Sequence, residues 1–186
     1  MLMDTTARAQ LMGLIETLAL KRAPESQSFT LSSGRSSTVL FDFKTLCFHP
    51  AALPLLSKTM LEQMLALGAT QVGGLERGAI PLVAGMCYAA GENSPVRGFF
   101  VRKEPKGHHQ KQQIDGNFSP AAPTILVDDA VTTGGSILQA AQVVREAGGH
   151  VQHALAVVER QEGGREALAA AGIELHTLFT RQDFGV

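Results

Sequence analysis

The sequence predicts an α/β fold in which helices flank a mostly parallel central sheet. Short apolar segments alternate with amphipathic segments over about residues 68–180, as in repeated β-α-β units. The composition is 45% hydrophobic and only 18% charged, which suits a sheet buried on both faces. The chain of 186 residues is long enough for a full core, so we expect residues 1–186 to form one domain.

About residues 1–45 precede this alternation and are expected to cover an edge of the sheet. Apolar residues at helical spacing predict a first helix over about residues 6–20. Alternating apolar and polar residues then predict a β-hairpin or a strand–loop–strand unit over residues 29–43. Pro50 begins a second predicted helix, which ends at Gly68.

Strands and helices alternate in the rest of the chain. The apolar runs predict strands at residues 71–74, 96–101, 124–127, 151–158 and 175–179. The helical patterns are at residues 80–90, 136–147 and 165–171. A long polar segment at residues 102–119 interrupts the alternation, and we expect it to form a flexible loop.

An anion-binding motif follows the predicted strand at residues 124–127. Asp128 and Asp129 come directly after this strand, and the sequence TTGGS at residues 132–136 leads into the next helix. Converging backbone N–H groups and a helix N-terminus bind phosphate, and glycines let the backbone approach it. Carboxylates accept hydrogen bonds from sugar hydroxyls, so the pattern predicts a ribose-phosphate site. An exposed turn in which Asp caps the helix would give the same pattern.

The polar segment carries Arg102, Lys103, Lys106 and Lys111, with His108 and His109 between them. Such charges suit a lid that closes over a polyanion, but they equally suit a solvated surface loop. The adjacent histidines do not indicate a metal site, because no third ligand is evident.

Composition also excludes several classes of protein. The net charge of −1 argues against general nucleic-acid binding. No apolar run is long enough to span a membrane and no signal peptide is recognisable, so we expect no membrane partner and a cytoplasmic location. Cys47 and Cys87 show neither metal-ligand nor disulfide spacing.

Five motifs together resemble the orotate phosphoribosyltransferase family, whose members have the type I phosphoribosyltransferase fold. In chain order they are LSSGR at 31–35, GLERGAIP at 74–81, VRKEPKGH at 101–108, TILVDDAVTTGGS at 124–136 and VERQEGG at 158–164. The resemblance implies Mg²⁺-dependent transfer of phosphoribose from phosphoribosyl pyrophosphate (PRPP) to N1 of orotate, in pyrimidine (UMP) biosynthesis. About residues 1–45 would then contribute to a hood over the base, and residues 102–119 would be a catalytic loop.

The resemblance also implies roles for individual residues. The catalytic residues would be Arg102, Lys103, Lys106, His108, Asp128 and Asp129. The same residues would bind PRPP, together with Ala130, Val131, Thr132, Thr133, Gly134, Gly135 and Ser136. Thr132 and Arg160 would bind orotate, and Mg²⁺ would be held mainly through PRPP near Asp128 and Asp129. The active unit would be a homodimer sharing loop 102–116, in which Lys103 serves its own subunit and Arg102, Lys106 and His108 serve the partner.

Three positions depart from the family pattern. Val39 and Leu40 stand where many members have aromatic residues, Ser32 where some have Lys, and His109 where glycine is usual. The difference at Val39 and Leu40 leaves a second hypothesis open, a phosphoribosyltransferase that acts on another base. The sequence is also compatible with a non-catalytic PRPP-binding regulator and, on the acidic residues at a strand end, with a receiver-type signalling module.

Overall fold

A computed structural model describes residues 3–25, 27–30, 36–105 and 113–186. The helices in these ranges are α1 (Thr5–Leu18), α2 (Phe43–Cys47), α3 (Leu53–Ala66), α4 (Ala79–Ala90), α5 (Gly135–Glu146) and α6 (Gly164–Ala170). The strands are β1 (Leu20–Arg22), β2 (Phe29–Thr30), β3 (Ser36–Ser37), β4 (Val39–Phe41), β5 (Gln71–Gly73), β6 (Arg97–Val101), β7 (Ile114–Gly116), β8 (Thr124–Val131), β9 (Val151–Glu159) and β10 (Glu174–Thr180). A short 3-10 helix, Arg181–Phe184, follows β10.

The central sheet has six strands within the described ranges, in the order β10-β9-β8-β5-β6-β7. All neighbouring strands are parallel except β6 and β7, which are antiparallel. The prediction of a mostly parallel sheet is therefore confirmed. Since β5, β8 and β9 are parallel neighbours, their carboxyl ends meet at one edge, where open α/β sheets bind ligands.

Apolar side chains cover both faces of this sheet. Ile125 and Val127 of β8 face one core with α1, α3 and α4, while Leu126 faces a second core with α5 and α6. Successive side chains of a strand point to opposite faces, which explains this division and the continuous apolar run. None of the described helices combines the length and the hydropathy that crossing a membrane requires.

The N-terminal region contains an antiparallel strand pair within the predicted range, but it also has a second pair that was not predicted. β4 pairs antiparallel with β1, a strand that the sequence did not predict, while β2 pairs with β3. We call β1–β4 the hood. α2 follows the hood directly and was also missed, because five residues carry too little periodicity to predict a helix. Residues 31–35, which carry the LSSGR motif and Ser32, lie outside the described residues.

Three predicted boundaries were wrong in ways that affect the site. β8 continues to Val131, so the acid pair lies within the strand rather than after it. Residues 114–116, predicted as loop, form the edge strand β7 because their backbone pairs with β6. The second helix begins at Leu53 and not at Pro50, since residues 50–52 form a turn before it.

Candidate active site

Asp128 and Asp129 lie on β8 at the carboxyl edge of the sheet, and both are half-buried. Their carboxylates face the turn after β5: a Cβ atom added to Gly78 would lie 3.1 Å from Asp129 Oδ1 and 3.2 Å from Asp128 Oδ1. Each carboxylate accepts a backbone hydrogen bond from the next residue, at 3.0 Å for Asp128 and 2.8 Å for Asp129. The missing side chain of Gly78 therefore leaves space beside the acid pair.

The electrostatic environment of the acid pair favours a bound cation or hydrogen-bond donor. Burial raises the pKa of Asp128 well above its ordinary range, and the negative charge of Asp129 raises it further. Burial also raises the pKa of Asp129, against the hydrogen bond from Ala130 and the positive charge of Lys44. Neither carboxylate forms an ion pair with a described residue, so the charge of the pair is only partly compensated.

The turn at residues 132–136 leaves the N-terminus of α5 open. Gly134 has a φ of +81°, a conformation that favours glycine, and α5 begins at the next residue. No side chain caps this helix. Thr133, Gly135 and Ser136 are exposed, and their hydroxyl and N–H groups can donate to an anion. The turn thus offers donor groups to an anion, and phosphate binding at this turn stays a prediction.

The first residue of α6 packs against the backbone of this turn. Gly164 is buried, and a Cβ atom placed there would lie 2.5 Å from Thr132 O and 3.1 Å from Gly134 N. The backbone N–H of Arg160 donates to Val131 O at 2.8 Å, which fixes the other side of the turn. Gly164 is therefore required by close backbone packing against the phosphate turn.

Arg160 connects the turn to the hood. Its buried guanidinium donates from Nε to Glu162 Oε1 at 2.8 Å, from Nη2 to Ser37 Oγ at 3.0 Å and from Nη1 to Val39 O at 3.3 Å. Thr132, the other predicted orotate ligand, is half-buried at the end of β8. The Arg160–Val131 backbone bond brings Arg160 and Thr132 to the same point of the sheet edge.

Arg102 and Lys103, the two cations that directly follow β6, make different contacts. Glu76 Oε1 accepts from the Lys103 N–H at 2.9 Å and Gln139 Nε2 donates to the Lys103 carbonyl at 3.0 Å, so Lys103 is fixed beside the acid pair. Its positive charge lowers the pKa of Asp128, although less than burial raises it.

Arg102 points elsewhere. It forms an ion pair with Asp115 of β7 and lies over the Phe100 ring at 5.5 Å. Lys106, His108, His109 and Lys111, the other predicted lid residues, lie outside the described residues.

Sequence reasoning missed two residues at this site. Lys44 of α2 lies close enough to Asp129 for its charge to lower that pKa, and Glu76 positions the Lys103 backbone. The neighbouring Cys47 has a pKa raised to about 12 by burial and by the charge of Asp129. A cation directly after the hood strands was visible as FDFK at residues 41–44, but no local pattern connects it to Asp129.

Groups for phosphate and for sugar hydroxyls therefore meet at one edge of a parallel sheet, beside a separate hood. This combination of fold and site defines the class of type I phosphoribosyltransferases. No protein-family model matches the chain. Orotate phosphoribosyltransferases are nevertheless similar over nearly the whole chain.

Two curated relatives carry that name. The enzyme of Rhodopirellula baltica is 40% identical over 185 residues, which cover 96% of this chain and 94% of the relative. That of Aquifex aeolicus is 40% identical over 173 residues, covering 92% and 94%. The crystal structure of the Mycobacterium tuberculosis H37Rv orotate phosphoribosyltransferase in complex with PRPP is 31% identical, with a TM-score of 0.79 over 97% of this chain and 99% of that one. The chain belongs to the orotate phosphoribosyltransferase family.

Proposed function

We propose that this chain transfers the phosphoribosyl group of PRPP to N1 of orotate, giving orotidine 5′-monophosphate and pyrophosphate in pyrimidine biosynthesis. The proposal rests on one observation: the Asp128–Asp129 pair and the open N-terminus of α5 lie at the same edge of the sheet. The relatives are named orotate phosphoribosyltransferases, which supports orotate as the base, and the M. tuberculosis complex supports PRPP as the sugar donor. The cytoplasmic location stays a prediction.

In this reaction the site binds the two ends of the sugar. The N–H and hydroxyl groups of residues 132–136 bind the 5′-phosphate, and the acid pair accepts hydrogen bonds from the ribose hydroxyls. A bond forms between orotate N1 and the anomeric carbon, and the N1–H bond breaks, with its proton passing to solvent water or to the departing pyrophosphate. The bond from that carbon to pyrophosphate breaks, and its electron pair leaves with pyrophosphate. Lys103, with Lys106 and His108 of the loop, stabilises the negative charge that develops on this leaving group.

Mg²⁺ fits the acid pair. Two half-buried carboxylates without a paired cation among the described residues provide the oxygen ligands and the charge that this ion prefers. When bound with PRPP, the ion would supply positive charge that offsets the negative charge developing on the leaving pyrophosphate. We therefore expect a chelator to abolish turnover and Mg²⁺ to restore it.

Arg160 is the proposed contact for the orotate carboxylate. Its Nη1 and Nη2 each donate one N–H group to the hood and each have a second N–H group, so the guanidinium retains donors for a carboxylate. Val39 contributes its backbone carbonyl to this arrangement, and a backbone group does not depend on the side chain. The loss of an aromatic residue at Val39 is therefore compatible with orotate as the base.

A spectrophotometric assay with PRPP and Mg²⁺ tests the function directly. We expect orotate absorbance to fall while uracil, hypoxanthine and adenine remain unchanged. Turnover of another base instead of orotate would identify a different phosphoribosyltransferase. PRPP binding without turnover of any base would support the regulator.

We also propose that the active unit is a homodimer. An apolar groove of about 690 Å³ lies between α3 and α4. It is bordered by three exposed apolar side chains, Phe48, Leu65 and Tyr88, which are 78%, 48% and 89% exposed. Large exposed apolar patches favour protein–protein contact. Ala84 lines both this groove and a second one beside Phe100 and Asp115, so the surface is continuous with the base of the loop.

A second copy docked on this surface would bring one subunit's loop towards the other subunit, as the shared loop requires. Tyr88→Glu should therefore convert the dimer to a monomer in analytical ultracentrifugation and lower turnover. Arg181→Glu, on the short 3-10 helix outside this groove, is the charge-changing control and should leave the dimer intact. A wild-type monomer with full activity would refute the proposal.

A further inference from the structure

A second cluster of ligand-type side chains lies away from the proposed active site. His153 of β9 is directly opposite Glu174 of β10 in the parallel register, and His176 follows two residues later on the same face. His153 and His176 are half-buried, whereas Glu174 is exposed. The cluster therefore joins the edge strand of the sheet to its neighbour.

Three atoms of this cluster form a nearly equilateral triangle. His153 Nδ1 and His176 Nε2 are 3.2 Å apart, while Glu174 Oε2 is 3.6 Å from His153 Nδ1 and 3.7 Å from His176 Nε2. Tetrahedral Zn²⁺ with bonds of about 2.1 Å places its ligand atoms about 3.4 Å apart, which is within about 0.3 Å of all three separations. The side chains thus already lie at the separations of a ligand set.

We propose that His153, Glu174 and His176 bind a first-row transition-metal dication, with Zn²⁺ as the best fit. Two imidazole nitrogens and one carboxylate oxygen form a donor set that Zn²⁺ favours. An octahedral ion with bonds of about 2.1 Å would place neighbouring ligand atoms about 3.0 Å apart, closer than the two Glu174 separations. Tetrahedral coordination fits better and leaves its fourth position for water.

The surroundings leave that fourth position accessible. A surface groove of about 440 Å³ is lined by His153 and Glu174 and opens to solvent. Burial lowers the pKa of His176, and the nearby charges of His153 and Arg165 act in the same direction while Glu174 opposes them. Arg165 is already engaged by Glu159, at 2.5 Å, and by the Leu175 carbonyl.

This site is distinct from the proposed Mg²⁺ position. In the parallel register Asp128 is opposite Ala156, so the acid pair lies three residues, or about 10 Å, further along the sheet than His153 and on the neighbouring strand. The acid pair and the phosphate turn lie at the carboxyl edge. A metal here would tie β10 to β9 and stabilise the edge of the sheet without occupying the substrate site.

Calorimetric titration of the metal-free protein with Zn²⁺, in excess Mg²⁺, tests the proposal. We expect one Zn²⁺ per chain at this site, and at least a tenfold loss of affinity in His153→Ala and His176→Ala. His150→Ala removes an exposed histidine next to β9 and should bind Zn²⁺ like the wild type. Zn²⁺ binding that survives both cluster substitutions would place the ion elsewhere and overturn the proposal.

Two further readouts separate metal binding from a purely structural histidine pair. Zn²⁺ should raise the melting temperature of the wild type and of His150→Ala, but not that of Glu174→Gln, which preserves the shape of the side chain. Co²⁺ should give the visible spectrum of a tetrahedral site. An equal Zn²⁺ shift in Glu174→Gln, or an octahedral Co²⁺ spectrum, would contradict the assignment.

Discussion

Gly164→Ala should damage the phosphate turn through a backbone clash. The new Cβ atom would lie 2.5 Å from Thr132 O, whereas ordinary contact begins at 3.4 Å, so the backbone must move by about 0.9 Å. Overpacking of this kind costs about 1–3 kcal/mol of stability. Because the displaced atoms belong to the proposed phosphate-binding turn, we also expect kcat/KM for PRPP to fall about 10- to 100-fold.

The matched control is Gly13→Ala on α1. No atom lies within 4 Å of a Cβ atom at this exposed helical position, so the substitution should stabilise the protein by up to about 1 kcal/mol. Its kinetics should equal those of the wild type. Chemical denaturation and steady-state kinetics on both variants measure the two effects separately. If Gly164→Ala lost stability but bound PRPP normally, residues 132–136 would not be the phosphate site.

Three further predictions concern the charged groups of the site. Burial raises the folded-state pKa of Asp128, so its ionised form destabilises the unliganded protein as pH rises through that pKa. The Asp128→Asn variant should therefore unfold at a higher urea concentration than the wild type at neutral pH, although it should lose turnover. Glu76→Ala should lower kcat about tenfold and Glu76→Gln much less, because Gln keeps the carbonyl that accepts from Lys103 N–H; equal losses in stopped-flow assays would exclude this positioning role. Arg160→Lys should raise KM for orotate at least about tenfold and leave KM for PRPP unchanged, since Lys cannot bond a carboxylate twice; a matching rise in both would argue against the base contact.

The central sheet could be predicted because its strands are long apolar runs between recognisable helices. β8, β9 and β10 needed only local patterns, and the TTGGS turn indicated both a phosphate site and the start of α5. The hood strands have two or three residues each, and their pairing depends on contacts between distant segments. β7 reads as a loop because Ile-Asp-Gly has little strand propensity, and only pairing with β6 makes it a strand.

The parts of the site that sequence could not reveal are those set by register and packing. Nothing local relates Gly164 to the carbonyl of Thr132, or Lys44 to Asp129, because each pair comes together only when the sheet is assembled. The same holds for His153 and Glu174, whose opposition follows from the β9–β10 register. Motifs could indicate the chemistry of single segments, but the contacts between distant segments could be seen only in the folded structure.

Two features of the site are unfavourable in the unliganded protein, and a single ligand can compensate both. Burial disfavours the charge of the acid pair, and α5 begins without a side-chain cap. A ligand that carries a phosphate and neighbouring hydroxyls satisfies both at once, whereas inorganic phosphate would satisfy only the helix terminus. The presence of both features at one edge of the sheet therefore favours phosphorylated ribose over simpler anions. Arg160, which packs on the same turn and holds the hood, then connects recognition of the sugar to recognition of the base.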